Sequence, residues 1–134
     1  MPSSSRHLAE RVERPAEEVY AYVADPAHVP EWAPGLGTAV EQVDGAWYVE
    51  SGMGRVRVQF AEPNAYGVLD HDVTLPDGRV VTNPMRVLPD GEACEVVFTL
   101  RRQPGVTDEE FAQDEALVTA DLARLKTVLE RSRP

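Results

Sequence analysis

The stretch GVLDHDVTLPDGRVVTNPMRVLPDGEACEVVFTLRR, residues 67–102, decides how this chain folds. Apolar and polar residues alternate along it, and Pro76-Asp77-Gly78 and Asp90-Gly91 break the alternation where a hairpin has to turn. Taking Asp90-Gly91 as a two-residue loop pairs Val87 with Cys94, Met85 with Val96, Asn83 with Phe98 and Val81 with Leu100. Taking Pro76-Asp77-Gly78 as a three-residue loop pairs Val73 with Val81, His71 with Asn83 and Leu69 with Met85. Both assignments put the same residues on one face. The segment therefore reads as an antiparallel meander with an apolar side.

Working upstream, Asp44-Gly45, Gly52-Met53 and Pro63-Asn64 supply the remaining turns. The six strands so defined are 38–43, 46–51, 54–61, 67–75, 79–88 and 92–102. Val40, Gln42, Trp47, Val49, Val56, Val58 and Phe60 join the inner face. Arg55, Arg57, Gln59, Asp70, Asp72, Thr74, Arg86, Glu95, Thr99 and Arg101 form a solvated outer face. Before these, His7 to Glu13 alternates as a further strand. Pro15 opens a short helix at its first position, with Glu17 and Glu18 in the first turn and Val19 and Val23 buried. Asp25-Pro26 starts a second short helix through Trp32, and Pro34-Gly35 ends it.

Downstream, Thr107 and Glu110 make a capping box for a helix to about Arg131, with Phe111, Val118, Leu122, Leu125 and Leu129 on one stripe. The class is α+β. A curved, seven-stranded antiparallel sheet grips a long C-terminal helix, with two short helices after the first strand. The chain reads as a single domain over 1–134, ordered from about 6 to 131, with about five residues fraying at each end.

Composition narrows the function. With 13 Lys+Arg against 23 Asp+Glu, the net charge is −10. No basic footprint exists for nucleic acid, and anionic membrane surfaces are disfavoured for the same reason. Cys94 is the only cysteine, the N-terminus has no apolar signal core, and no apolar run is long enough to span a bilayer. The expected location is the cytoplasm. Gly35-Leu36-Gly37 and Gly52-Met53-Gly54 read as turn glycines, since neither joins a strand to a long helix, so no cofactor is expected. The oligomeric state is not legible.

A few polar residues interrupt the inner face. His71 and Asn83 are cross-strand neighbours, and Asp114 and Asp121 fall inside the apolar arc of the last helix. These two carboxylates cost free energy there unless paired or hydrated. In one reading His71 simply hydrogen-bonds Asn83 in the core, and either Asp reaches solvent at the edge of the arc or caps a loop backbone N–H. In the other, the set makes a polar spot in an apolar cavity that binds a small hydrophobic or aromatic molecule. The lining would be Trp47, Val58, Phe60, Leu69, His71, Asn83, Met85, Phe98, Asp114, Val118 and Asp121. If the pocket also catalyses, His71 is the base, Asn83 orients it or donates to an oxyanion, and Asp121 holds the imidazolium or steers substrate from the helix side. Asp70-His71-Asp72 is not read as a metal motif, because alternation sends the two carboxylates to the opposite face from the imidazole. His7 and His28 read as surface residues, and Trp32 and Cys94 as core.

The segment from Val12 to Pro26, with Pro30-Glu31-Trp32 after it, resembles the opening of SRPBCC domains. This helix-grip superfamily includes START lipid carriers, aromatic polyketide cyclases and pollen-allergen-like plant proteins. The resemblance covers nearly the whole chain. It implies a hydrophobic cavity between sheet and helix, with three kinds of role: ligand carriage, polyketide cyclisation or dehydration, and chaperone-regulator-like protein interaction. The superfamily's iron-binding branch uses paired histidines and a carboxylate, a pair this chain lacks.

Overall fold

The computed structural model describes residues 4–131. The fraying expected at the termini falls partly on 1–3 and 132–134, which lie outside the described residues. Strand β1 runs over Ser5–Val12, followed by helix α1, Ala16–Val23. Pro15 is the cap of α1 rather than its first residue. A 3₁₀ turn, Pro26–His28, leads into the short helix α2, Val29–Trp32. The Asp25 side chain accepts the Ala27 N–H at 3.0 Å, as an N-cap aspartate does.

Strands β2 (Ala39–Val43), β3 (Ala46–Ser51), β4 (Gly54–Phe60), β5 (His71–Thr74) and β6 (Val80–Asn83) make one antiparallel sheet in chain order. Strands β7 (Met85–Asp90) and β8 (Ala93–Arg101) join β1 in a second, ordered β1-β8-β7. Helix α3, Asp108–Arg131, packs on β1, β8 and α2. The Thr107–Glu110 capping box is reciprocal: Glu110 N–H donates to Thr107 Oγ1 at 3.1 Å, and Thr107 N–H to Glu110 Oε1 at 2.9 Å.

Eight strands stand where seven were expected, and Pro84 is the reason. The single strand expected over 79–88 breaks there because proline has no N–H for the ladder. The strand expected over 67–75 divides its partners at the same place. Gly67–Leu69 pairs with β7, through Val87 N–H to Gly67 O and Leu69 N–H to Met85 O, both 2.9 Å. His71–Thr74 pairs with β6, setting His71 opposite Asn83 and Val73 opposite Val81 as expected. At the corner the Asp70 carboxylate accepts the Met85 N–H at 2.9 Å and pairs with Arg86. Asp70 is thus a structural bridge rather than one more solvated outer residue.

The Asp90-Gly91 hairpin differs by one residue. Its closing pair is Asp90 with Ala93, so the loop is Gly91-Glu92, with only Gly91 at positive φ (63°). Val87 therefore faces Val96 rather than Cys94, and Met85 faces Phe98 rather than Val96. The slip moves each partner by two residues, so every side chain keeps its face. Asp44-Gly45, with both φ values positive, forms the expected two-residue loop.

The far end of α3 is tied down by Arg14, only 5% exposed, which donates to the Glu130 carbonyl at 2.7 Å. Lys126 reaches the Arg11 carbonyl at 2.9 Å, and the Glu13 N–H donates to Glu130 Oε2 at 2.7 Å.

Replacing Asp70 with alanine strands the N–H of fully buried Met85 and should lower stability by about 1–3 kcal/mol. Urea denaturation measures it. A loss under about 0.5 kcal/mol, the size of an ordinary surface substitution, would remove Asp70 from this role.

Candidate ligand pocket

A pocket of about 170 Å³ lies between α3, the segment after α2, and the inner face of β5, β6 and β8. Its apolar lining includes Ala33, Leu36, Phe98, Leu100, Val118 and Leu122. Its polar lining is Trp32, His71, Asn83, Asp114 and Asp121.

Two glycines let the walls close. A Cβ on Gly37 would lie 2.1 Å from Val49 Cγ1 and 2.6 Å from the Glu50 carbonyl oxygen, so only glycine fits against β3. A Cβ on Gly35 would come within 2.8 Å of Asp121 Oδ2, and the Gly35 N–H donates to Asp121 Oδ1 at 3.3 Å. These glycines therefore do more than turn the chain: they bring the 33–37 segment against sheet and helix.

His71 is 5% exposed and packs against Phe60 and Phe98, with ring centroids 4.9 and 5.8 Å away. Its Nδ1 lies 3.0 Å from the Leu69 carbonyl oxygen and so donates to it. Burial pulls its pKa below the ordinary 6.5, against the opposing pull of the Leu69 bond and of Asp70 and Asp72. The ring is neutral at pH 7, and Nε2 is left as an acceptor with no partner among the described residues. His71 does not bond Asn83, whose side-chain amide is also unpartnered among the described residues. Trp32, 4% exposed, carries a buried indole N–H without a partner among the described residues.

On the helix side, burial holds the Asp121 carboxyl up at about 6, while the Gly35 N–H and Arg124 pull the other way. Asp114 is exposed at the rim. Its pKa is raised, first by partial burial and then by Glu110.

Of the lining expected from the sequence, His71, Asn83, Phe98, Asp114, Val118 and Asp121 meet in this pocket. Leu69 and Met85 do not: they are 1% and 0% exposed in the packed core. Trp47, Val58 and Phe60 border a different pocket, shared with Tyr20 and Pro26, because the inner face curves away past His71. Trp32, Gly35 and Leu36 were not expected in the lining. A four-residue helix has too little periodicity to say which way Trp32 turns. Among the described residues, no group of three His, Cys, Asp or Glu side chains is arranged to hold a metal ion, and no helix is long and apolar enough to cross a membrane.

The family described as polyketide cyclase / dehydrase and lipid transport matches residues 7–130, and the chain belongs to it. No curated protein sequence matches. Among solved structures, the chain is similar to DynU16, a protein of the dynemicin biosynthetic locus. The identity is 22% and the TM-score 0.72, covering 99% of this chain and 49% of that one. It is also similar to the Zhui aromatase/cyclase of Streptomyces sp. R1128, at 21% identity and TM-score 0.66, covering 97% and 95%. A third likeness is to norcoclaurine synthase of Thalictrum flavum, in complex with dopamine and hydroxybenzaldehyde, at 15% identity and TM-score 0.62, covering 99% and 90%. These likenesses establish the helix-grip fold.

The raised Asp121 pKa has a definite sign. Folding favours the protonated carboxyl, so no cost exists below the ordinary 3.8, and a cost grows to its full size as pH rises through about 6. Asp121→Asn, which can still accept the Gly35 N–H, should be more stable than wild type at pH 7.5 by about 1–3 kcal/mol. The advantage should vanish near pH 4. Urea denaturation at the two pH values gives the difference, and an advantage independent of pH would contradict the assignment.

Proposed function

We propose that the chain binds a small, uncharged, hydroxyl-bearing aromatic or similarly sized apolar molecule between the sheet and α3. One observation carries this reading: three polar groups facing an apolar-lined pocket, on Trp32, His71 and Asn83, have no partner among the described residues, and the Trp32 N–H is fully buried. A buried polar group left unpaired costs about 1–3 kcal/mol, and native proteins keep few of them. A ligand oxygen that accepts from the Trp32 N–H would remove that cost, and a ligand hydroxyl would donate to His71 Nε2. Size supports a single ring, since a 170 Å³ pocket is close to the roughly 150 Å³ apolar cavity that takes benzene. The Asp114 and Asp121 carboxylates on one wall weigh against an anion.

A second reading, acid–base turnover of the cyclase or dehydratase kind, is favoured by the Asp121 carboxyl at about 6 beside a neutral His71 in the same pocket. Two groups poised so differently are what proton abstraction next to a carbonyl requires. His71 Nε2 would take the proton, and Asn83 or Trp32 would donate to the developing oxyanion. The protein-interaction reading gains no such support. The exposed large apolar residues, Val43, Met53, Tyr66, Val80, Leu88 and Leu117, sit on different strands, loops and α3.

Thermal shift with p-cresol, toluene and benzoate tests the binding reading. p-Cresol should stabilise most and benzoate least, by about 2.7 kcal/mol for a ligand at a hundredfold excess over its Kd. His71→Ala should cost p-cresol about fivefold to tenfold in affinity if the site only binds. An enzyme should instead lose about a hundredfold or more in rate with affinity kept. Equal and negligible shifts with all three probes would end the proposal.

A further inference from the structure

A second pocket, of about 340 Å³, runs along the β3–β4 hairpin; Tyr20, Pro26, Trp47, Val58 and Phe60 border it together with the polar Arg57, Gln59 and Glu62. Phe60 and His71 are cross-strand partners on β4 and β5, with rings 4.9 Å apart at 38°. His71 lines only the first pocket and Phe60 only the second. Each ring of this contacting pair therefore borders a different one of the two pockets. The members of that pair are not equally fixed. His71 is buried, bonded to the Leu69 carbonyl and packed on Phe98. Phe60 is the last residue of β4, half-buried, and its ring makes no hydrogen bond.

Resting on the binding reading above, we propose that Phe60 is the partition that sets the length of ligand this protein takes. The polar groups on Trp32, His71 and Asn83 hold the hydroxyl end in the first pocket. The Phe60 ring blocks extension past His71 toward Trp47 and Val58. A wild-type ligand is consequently one ring long. A shorter side chain at position 60 joins the two pockets into a channel that accepts a second ring in line with the first.

Isothermal titration of wild type, Phe60→Ala, Phe60→Leu and Phe60→Trp with p-cresol and with 4-phenylphenol tests the idea. Wild type should prefer p-cresol. Phe60→Ala should shift the affinity ratio toward 4-phenylphenol by tenfold or more, Phe60→Leu by less, and Phe60→Trp not at all. Circular dichroism melts establish that each variant is folded, and the leucine variant carries the test if the alanine variant unfolds. p-Cresol binding with the same ratio in all four proteins overturns the partition while leaving the pocket reading intact. Binding of neither probe by any of them overturns both.

Discussion

A single backbone N–H governs the shape of this molecule. Pro84 ends β6 because it cannot donate to the ladder, and the next residue, Met85, is fully buried. Its N–H would be orphaned at the bend if Asp70 did not accept it. With that donor satisfied, one strand can pair with β7 in its first half and with β6 in its second. At the bend, the Leu69 and Met85 N–H groups both keep an acceptor. A flat sheet would lie flush against α3. The bent one leaves space over His71 and Asn83, the cross-strand pair next to the corner.

What fills that space is decided by competition between burial and hydrogen bonding. Leu69, Met85, Val87 and Val96 fill the corner densely and leave no room. Beside them, the large side chains of Trp32, His71 and Phe98 meet α3 at positions occupied by Val118 and Asp121. An aspartate there cannot pack as a leucine would, and its desolvation appears as a carboxyl that resists ionisation. The Gly35 N–H compensates in part. The pocket is thus a place where the sequence departs from the all-apolar interior that stability alone would select.

Most of the architecture was legible because turn chemistry and alternation are local. Asp44-Gly45, Gly52-Met53 and Pro76-Asp77-Gly78 each turned where read, and the His71–Asn83 pairing followed from them. Three things were not legible. Alternation ran straight through Pro84, so the break was hidden behind an unbroken pattern of inward residues. Asp70 looked like any outer-face carboxylate, because a side chain bonding a distant backbone leaves no periodic trace. Sheet curvature carried Trp47, Val58 and Phe60 away from the pocket even though they share its face with His71. The helix carboxylates were legible from their angle on α3, whereas the approach of Gly35 and Gly37 depends on tertiary packing that no spacing announces.

The placement of the indoles has an optical consequence. The chain contains two tryptophans. Trp32 is buried in the wall of the first pocket, and Trp47 is half-buried beside the second. Their emission therefore reports on different pockets, from a buried indole and a half-buried one. Because the Trp32 N–H has no acceptor among the described residues, its emission is sensitive to the arrival of an acceptor oxygen. Trp47 senses what enters the second pocket. The molecule therefore carries its own pair of spectroscopic reporters, one on each side of an aromatic wall.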